Sequence, residues 1–315
     1  MRIHGPEAVR ALLDMPGCIA AVRDAMRRFS AEALEQPLRS ITPIGEGRLF
    51  ALMPGMLAVP DGFGTKVISV YADPERPQRA KHRGVVLLFD REAGELQCIA
   101  DAGEITEIRT AAASAVATDA LARPDAHSLA IFGSGSQARS HLRAIPLVRD
   151  LDEILVWGRS RASAEMLIAE VQPELTVPIR FVADAREAAQ ADILCTVTSS
   201  TTPILLGEWV RPGTHVNVVG SSYPGPVEVD HALVLASRYI VDSRRSALAA
   251  AAEFLDAKAA GLIGDAHIVA EIGEVLLDSI PGRTDDDQIT LYKSLGHIVQ
   301  DLAATAYVDA ASALR

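Results

Sequence analysis

The 315-residue sequence contains few cysteines and few aromatic side chains: it has 3 cysteines, and Phe, Trp and Tyr together make up 4% of it. Cys18, Cys98 and Cys195 are odd in number, far apart and set among apolar residues. This pattern argues against a disulfide framework, a metal site or a nucleophilic cysteine. It predicts reduced core cysteines in a cytoplasmic protein, and we expect no metal site.

The sequence also lacks an excess of basic residues and lacks long apolar runs. Its formal net charge is −11, which argues against nucleic acid or an anionic membrane surface as a main partner. No run approaches the roughly 18 apolar residues of a membrane span. The first residues, Met1-Arg-Ile-His-Gly-Pro, have no signal-peptide core. We therefore expect no nucleic-acid partner and no membrane partner.

The first 120 residues combine helical and strand patterns, and half of the whole chain is apolar, enough for a sizeable core. Apolar spacing predicts helices over Ala8–Leu13, Ile19–Glu35 and Glu104–Leu121. Strands are predicted at Arg39–Ile44, Arg48–Met53, Thr65–Tyr71, Gly84–Phe89 and Leu96–Ala100. Residues 90–94 have the composition of a hairpin turn between the last two strands.

From Leu129 onward, strand and helix patterns alternate, which is typical of parallel βαβ units. Six strands are predicted: Leu129–Phe132, Ile154–Trp157, Ile179–Val182, Ile193–Thr198, His215–Val219 and Tyr239–Val241. Helices are predicted over 136–148, 161–170 and 185–190, and later over Ala247–Ala260, Ile268–Leu277 and Leu291–Ala310. The chain thus divides near residue 120, and the pattern of the last helix does not decide which half it joins.

A glycine-rich loop follows the first of these strands. Gly133-x-Gly135-x-x-Ala138 stands between the strand and a helix-compatible segment, the setting in which a dinucleotide pyrophosphate binds. The first glycine permits a sharp turn, the second lets phosphate approach the backbone, and a small third residue lets helix pack on strand. Ser136 and Gln137 complete the predicted phosphate loop. The alternative is an ordinary tight turn.

The loop after the second parallel strand indicates which cofactor is preferred. An acidic residue there would bond the ribose 2′-hydroxyl, whereas arginine suits a 2′-phosphate. The residues present are Arg159, Ser160 and Arg161, without a carboxylate. They favour NADPH, with NADH as the alternative. The competing interpretation is a solvated loop leading to a helix capped by Ser160.

Nine short motifs, in order along nearly the whole chain, share one resemblance. They are Met53-Pro54, Gly64–Val67, His82–Asp90, Leu96–Ser114, Gly133–Ala138, Thr196–Ser200, Gly207–Gly213, Asn217–Gly225 and Thr290–Gly296. Together they resemble the ornithine cyclodeaminase/μ-crystallin family. The resemblance implies an α/β fold, in which a Rossmann-type parallel-sheet domain accompanies an α+β antiparallel-sheet domain for substrate and dimerisation.

The resemblance also implies domain bounds and a homodimer. Residues 1–120 with about 291–315 would form the substrate-binding and dimerisation domain, because the C-terminal helix returns to it in the family. Residues 121–290 would form the dinucleotide-binding domain. Family members act on α-amino or α-imino carboxylates with a nicotinamide cofactor, so a small imino or amino acid is the expected substrate.

Three basic residues match the family positions that hold the substrate carboxylate: Arg39, Lys66 and Arg109. A carboxylate removed from water needs charge-assisted donors, which these side chains supply. Without the resemblance, each would be interpreted as a solvated position. Thr110 matches a family contact to cofactor phosphate.

Two further predicted strand ends belong to the expected cofactor site, because ligands approach parallel sheets where the strands end. Thr196, Thr198 and Ser199 end the fourth strand, and Val219 and Gly220 end the fifth. Turn capping is the competing interpretation of Thr198 and Ser199.

Two departures from ornithine cyclodeaminase decide the expected reaction. That enzyme has acidic residues at the positions of Ser222 and Ala51, and an unactivated serine cannot serve as a base. The sequence therefore predicts NAD(P)H-dependent reduction of an imino acid, either a cyclic ketimine such as pyrroline-2-carboxylate or an acyclic imine. Ser222 or ordered water would bond the imine nitrogen. The alternatives are ornithine cyclodeaminase, which forms proline and ammonia, and a non-catalytic NADPH-binding protein.

Overall fold

A computed structural model describes residues 1–32, 36–46, 48–71 and 82–314. The chain forms two compact units: unit 1 is Met1–Arg109 with His297–Arg315, and unit 2 is Thr110–Gly296. The observed divisions differ from the predicted ones near residues 120 and 291. No helix in the described part of the chain has the length and apolar character that crossing a bilayer requires.

Unit 1 contains a six-stranded sheet with helices. Its strands are β1 (Arg2–His4), β2 (Ser40–Pro43), β3 (Leu49–Leu57), β4 (Gly62–Val70), β5 (His82–Asp90) and β6 (Leu96–Asp101). Its helices are α1 (Pro6–Leu12), α2 (Met15–Ala31), the first part of α3 (Ala102–Leu121) and the C-terminal α11 (Ile298–Ala313). The strand order is β1-β6-β5-β4-β3-β2, antiparallel except for the parallel pair β1–β6. Helix α11 packs on α2 and on β3, β4 and β5.

The five strands predicted for this unit are confirmed with shifted ends, and so is the hairpin turn. The Asp90 carboxylate accepts hydrogen bonds from the backbone N–H groups of Ala93 at 2.6 Å and Glu95 at 3.0 Å. Strand β1 was not predicted, because three residues are too few to show a period. The predicted helix end at residue 35 lies outside the described residues, and α2 ends at Ala31.

Unit 2 contains an eight-stranded parallel sheet. Its strands are β7 (Ser128–Phe132), β8 (Glu153–Trp157), β9 (Ile179–Val182), β10 (Ile193–Thr196), β11 (His215–Val218), β12 (Ser237–Val241), β13 (Ile268–Glu271) and β14 (Ile289–Lys293). Its further helices are α4 (Ser136–Ala144), α5 (Arg161–Val171), α6 (Ala185–Ala188), α7 (His231–Ala236), α8 (Arg244–Ala250), α9 (Ala252–Ala259) and α10 (Ile272–Leu276). The strand order is β13-β12-β14-β11-β10-β7-β8-β9. The chain adds β8 and β9 on one side of β7 and then crosses to β10 on the other side. Ligands bind at such switch points in parallel sheets. The expected Rossmann-type α/β fold with an antiparallel-sheet unit is confirmed.

Three helix predictions from Ala247 onward are wrong in part. Residues 268–271 form β13 and residues 291–293 belong to β14, although both were predicted as helix. Each strand is short and runs within a few residues into a helix, so strand and helix share one continuous apolar pattern. Helices α8 and α9 break the predicted Ala247–Ala260 helix at Ala251, whose backbone is extended. The β14 pairing with β11 and β12 explains why residues 291–296 fall in unit 2.

Candidate active site

Lys66 lies on the buried face of a central strand in unit 1. Along β4, burial alternates so that Gly62, Gly64, Lys66 and Ile68 share the covered face. A side chain at Gly64 would meet the Leu87 carbonyl, so only glycine permits this close approach. The Lys66 side chain is 2% exposed, which excludes a solvated lysine.

Lys66 and Arg109 meet at one buried carboxylate. The Lys66 ammonium donates to Asp301 Oδ1 at 2.9 Å and to the Thr106 hydroxyl at 2.5 Å. Arg109 donates from Nε to the same Asp301 oxygen at 3.0 Å, and from Nη1 to Gln300 Oε1 at 3.0 Å. Strand β4, helix α3 and helix α11 each contribute to this group of side chains. We call Lys66, Arg109 and Asp301 the anion site.

Burial and mutual charge shift the pKa values in the anion site. Burial lowers the pKa of Lys66 to about 8, against the opposing attraction of Asp301, and the positive charges of Arg109 and Arg39 lower it further. Burial alone would raise the pKa of Asp301, but Arg109 and Lys66 hold it below its ordinary value. Lys66 and Arg109 thus meet at one acid, and Arg39 is near enough for its charge to act on Lys66, although the three are far apart in sequence.

The two cations retain unused donors. An ammonium has three N–H bonds and a guanidinium five, and within the described residues Lys66 uses two of its three. Arg109 Nη2 has no hydrogen-bond partner there. With two cations and one carboxylate, the anion site carries one net positive charge. It can accept one further carboxylate.

The glycine loop in unit 2 has the backbone that phosphate binding requires. Gly133 has φ +135°, and a side chain there would lie 3.0 Å from the Val197 carbonyl. Its N–H donates to the Trp157 carbonyl at 2.8 Å. Ala138 is fully buried, as helix packing against β7 demands. The roles predicted from the motif for Gly133 and Ala138 thus have a geometric basis.

The start of α4 fits a phosphate group. Its N-cap, Gly135, provides no side-chain hydrogen bond, and a side chain there would meet nothing within 4 Å. Ser136 is exposed and Gln137 is half-buried. Uncapped N–H groups at a helix start attract anions, so this loop suits a dinucleotide pyrophosphate.

The three residues of the arginine loop after β8, Arg159, Ser160 and Arg161, differ in their contacts. Ser160 caps α5 by accepting from Ser163 N at 3.2 Å, which was the competing interpretation of this loop. Arg161 donates to Glu165 at 2.7 Å and lies over the Phe181 ring. Arg159 is exposed and has no partner among the described residues. Arg159 is therefore the cation that is available to a ligand.

A buried glutamate joins the ends of β10 and β11. Glu228 Oε1 accepts from the Thr198 N–H at 2.6 Å and from its hydroxyl at 2.7 Å. Glu228 Oε2 accepts from the Gly220 N–H at 2.7 Å and from the Thr196 hydroxyl at 2.9 Å. Burial raises the pKa of Glu228, although Thr198, Lys293 and Thr196 act in the opposite direction. The Thr196 and Thr198 hydroxyls thus bond Glu228 and help to hold the loops after β10 and β11, in addition to any contact with a cofactor.

A second charged group lies next to Glu228. Lys293 donates to Ser221 at 2.6 Å and pairs with Glu253 at 2.8 Å, and Ser221 also bonds Glu253. Glu253 accepts from the Glu228 N–H at 3.1 Å. These side chains are almost completely buried, so they support the loop that carries Ser222.

The remaining predicted site residues occupy different environments. Ser199 is exposed, Ser222 is half-buried, and Thr110 in α3 and Val219 after β11 are buried. Ser222 and all the predicted cofactor residues belong to unit 2, whereas the anion site and Arg39 belong to unit 1.

The three cysteines are buried free thiols, as predicted. One of them, Cys98, lies near His4 and Asp309, and ligand-type atoms of the three fall within 4.8 Å of one another. However, both Asp309 oxygens accept from Arg2, at 2.6 and 2.5 Å, and His4 Nε2 lies 3.1 Å from Oδ1. This group is a hydrogen-bonded junction of β1, β6 and α11.

Sequence reasoning missed the buried acids Asp301, Glu228 and Glu253, and also Lys293. A signal existed for Asp301, because the segment from Ile298 to Ala306 is otherwise mostly apolar. A charged residue in such a segment is rarely buried without a partner. The sequence did not identify the partner, since 235 residues separate Lys66 from Asp301.

Comparisons with known proteins show the family of the chain. The model of the ornithine cyclodeaminase/mu-crystallin family matches residues 3–313. The chain belongs to the ornithine cyclodeaminase/mu-crystallin family.

Within this family, similar proteins carry reductase names. Ketimine reductase mu-crystallin of Mus musculus is 37% identical over 275 residues, which cover 87% of this chain and 84% of the relative. Delta(1)-pyrroline-2-carboxylate reductase of Bacillus cereus is 32% identical over 302 residues, covering 95% and 93%. A solved structure of Thermococcus litoralis Delta(1)-pyrroline-2-carboxylate reductase, in complex with NADH and L-proline, is 30% identical. It has a TM-score of 0.95 and covers 100% of this chain and 98% of that one.

Proposed function

We propose that this protein reduces the C=N bond of an α-imino acid to an amino acid with NAD(P)H. The substrate class is a cyclic ketimine such as pyrroline-2-carboxylate, or an acyclic imine. The observation that carries the proposal is the anion site, where Lys66 and Arg109 keep free donors next to one compensating carboxylate. The reductase relatives and the NADH and L-proline of the similar structure support it.

In this mechanism the chain's residues bind and orient the substrate. Lys66, Arg109 and Arg39 hold the carboxylate, which fixes the position of the adjacent imine carbon. Ser222 or ordered water donates a hydrogen bond to the imine nitrogen. The nicotinamide, when bound, would supply the hydride for the imine carbon, and solvent water would supply the proton that the nitrogen gains. No side-chain base is needed, in keeping with Ser222 and Ala51 where ornithine cyclodeaminase has acids.

Unit 2 is the proposed dinucleotide-binding domain, and unit 1 the proposed substrate and dimerisation domain. The pyrophosphate would lie on Gly133, Gly135, Ser136, Gln137 and Ala138. We assign the remaining cofactor contacts to the strand ends and the arginine loop: Thr110, Arg159, Ser160, Arg161, Thr196, Thr198, Ser199, Val219 and Gly220.

The decisive test is a substrate screen on the purified protein. We expect oxidation of NADPH with pyrroline-2-carboxylate or piperideine-2-carboxylate, or with pyruvate and methylamine, and formation of the matching amino acid. Ornithine with NAD is the parallel assay. Proline and ammonia from ornithine alone would instead establish a cyclodeaminase, and tight NADPH binding without any turnover would establish a non-catalytic binding protein.

Cofactor preference should depend on Arg159. Because its guanidinium is unpaired within the described residues, it can hold a 2′-phosphate by charge-assisted bonds. We expect Arg159→Ala to raise the Kd for NADPH by about tenfold, which corresponds to about 1.4 kcal/mol of binding free energy. The Kd for NADH should change little. Fluorescence titration measures both values.

The matched control is Arg180→Ala, in which an exposed arginine paired with Glu187 and Glu153 is lost. It should leave both Kd values unchanged. Equal losses for NADPH and NADH in Arg159→Ala would contradict a 2′-phosphate contact.

We also propose a cytoplasmic homodimer formed through unit 1. Strand β2 lies at an edge of the sheet. Near it, Leu38, Ile41 and Ile44 are 41%, 42% and 47% exposed, and grouped exposed apolar side chains mark interfaces. Light scattering of the purified protein measures the oligomeric state.

A further inference from the structure

We propose that Asp301 is a positioning residue of the anion site, which holds Lys66 and Arg109 in one arrangement and keeps Lys66 positively charged until a substrate carboxylate arrives. The inference rests on the proposed function, because it assigns a role to the same site. It adds a residue from the C-terminal helix that does not itself contact the reacting bond.

The first argument is geometric. One oxygen of Asp301, Oδ1, accepts from both Lys66 and Arg109, at 2.9 and 3.0 Å. Oδ2 has no hydrogen-bond partner among the described residues and is buried. Two cations bonded to one oxygen are held close together with their remaining donors free. A substrate carboxylate therefore meets a preformed pair of donors, which lowers the cost of ordering on binding.

The second argument concerns charge. Lys66 is buried, and the positive charges of Arg109 and Arg39 oppose its own. Asp301 acts against these effects, and Thr106 contributes a neutral hydroxyl. Two other groups near Asp301 are uncharged at neutral pH, since burial lowers the pKa of His297 to about 4 and raises that of Cys18 to about 12. Asp301 thus supplies the negative charge that favours the protonated lysine.

The consequence is a pH-dependent affinity with a defined sign. The charged form of Lys66 binds a carboxylate, so affinity is full below its pKa of about 8 and is lost as pH rises through that value. An opposite charge at this distance shifts a pKa by about 1–3 units. Removing the Asp301 charge should therefore move the midpoint down by at least about one pH unit. Below the new midpoint, two effects of losing Asp301 oppose each other: the donors are less well ordered, but no carboxylate competes for the two cations. Affinity there should therefore stay within a few-fold of the wild type, on the order of 1 kcal/mol.

The test is Asp301→Asn, with pyrrole-2-carboxylate as the probe. This planar analogue has no imine to protonate, so a change in its affinity between about pH 5 and pH 10 reports protein groups. Calorimetric titration should show a lower midpoint, affinity weakened about tenfold or more at pH 8.5, and affinity close to that of the wild type below the new midpoint. General destabilisation does not produce a loss of affinity that depends on pH in this way.

The control is Asp309→Asn, the same change at another buried carboxylate of α11, where the partners are Arg2 and His4. It should leave the midpoint of the wild type unchanged. Thr106→Asp adds a carboxylate beside Lys66 and should raise the pH midpoint of binding. In the Asp301→Asn background, the same change should bring the lowered midpoint back toward that of the wild type. Thr106→Asp therefore tests the charge argument even if Asp301→Asn does not fold.

An unchanged midpoint in Asp301→Asn, or an equal loss of affinity at every pH, would overturn the inference. So would an unchanged midpoint in Thr106→Asp. Failure of the proposed function would look different: the wild type would not reduce imino acids, while its binding curve for pyrrole-2-carboxylate would still report on Asp301.

Discussion

Lys66→Met is expected to reduce kcat/KM for a cyclic imino acid by about 30-fold to several thousand-fold, mainly through KM. Truncating one partner of a buried charge pair costs about 2–5 kcal/mol, and about 1.4 kcal/mol corresponds to tenfold in rate. Methionine has nearly the same length but no donors. It leaves Arg109 and Asp301 as a neutral pair, so the site loses its net attraction for a carboxylate.

Steady-state kinetics with pyrroline-2-carboxylate checks this expectation. The Kd for NADPH should not change, because the proposed cofactor residues belong to unit 2. Lys258→Met is the matched control: this lysine is 42% exposed and pairs with Asp265 at the surface, so its loss should not alter the kinetics. Full activity of Lys66→Met would rule out the proposed carboxylate anchor.

The sequence predicts the elements whose hydrophobic periodicity is clear and whose ends are marked by a turn or by a change of pattern. Strands β7 to β12 each precede a turn or a helix with a distinct pattern, so their positions followed from the sequence. Strands β13 and β14 did not, because Ile268–Glu271 runs directly into α10 and Tyr292 lies only a few residues before α11. Gly296, with φ +78°, marks the break between β14 and α11. Glycine is the expected residue at such a positive φ.

The site was predictable in its glycine loop and in its cations, for different reasons. The loop is a local feature, since residues 133–138 carry the turn and helix start together. Lys66 and Arg109 became candidates only through the family resemblance, because nothing local distinguishes them from solvated positions. Their compensating acid comes from the far end of the chain. A single sequence, taken without its relatives, does not show which distant residues pair in the fold.

The two units follow the same physical rule. In unit 1, Asp301 holds the two cations, and in unit 2, Glu228 holds two loop backbones. Each acid is fully buried and bonded to groups from separate elements. Buried charge is costly unless it is paired and hydrogen-bonded. Removing either acid leaves its buried partners unpaired, so we expect a larger loss than at an exposed acid.

Glu228→Gln is therefore expected to destabilise unit 2 by about 2–4 kcal/mol. Two backbone N–H groups, of Thr198 and Gly220, donate to different oxygens of Glu228. Glutamine has only one acceptor oxygen, so one N–H faces its amide group unpaired, and a buried unsatisfied donor costs about 1–3 kcal/mol in addition to the lost charge-assisted bonds.

The same substitution should weaken NADPH binding by about tenfold or more, since Glu228 fixes the loops that carry Ser199 and Ser222. Urea unfolding followed by tryptophan fluorescence reports directly on unit 2, because both tryptophans, Trp157 and Trp209, belong to it. The matched control is Glu170→Gln, at a surface glutamate paired with Arg139, where a change within about 0.5 kcal/mol is expected. Equal stability of the two variants would show that the N–H groups find other acceptors, and that Glu228 does not hold the β10 and β11 loops.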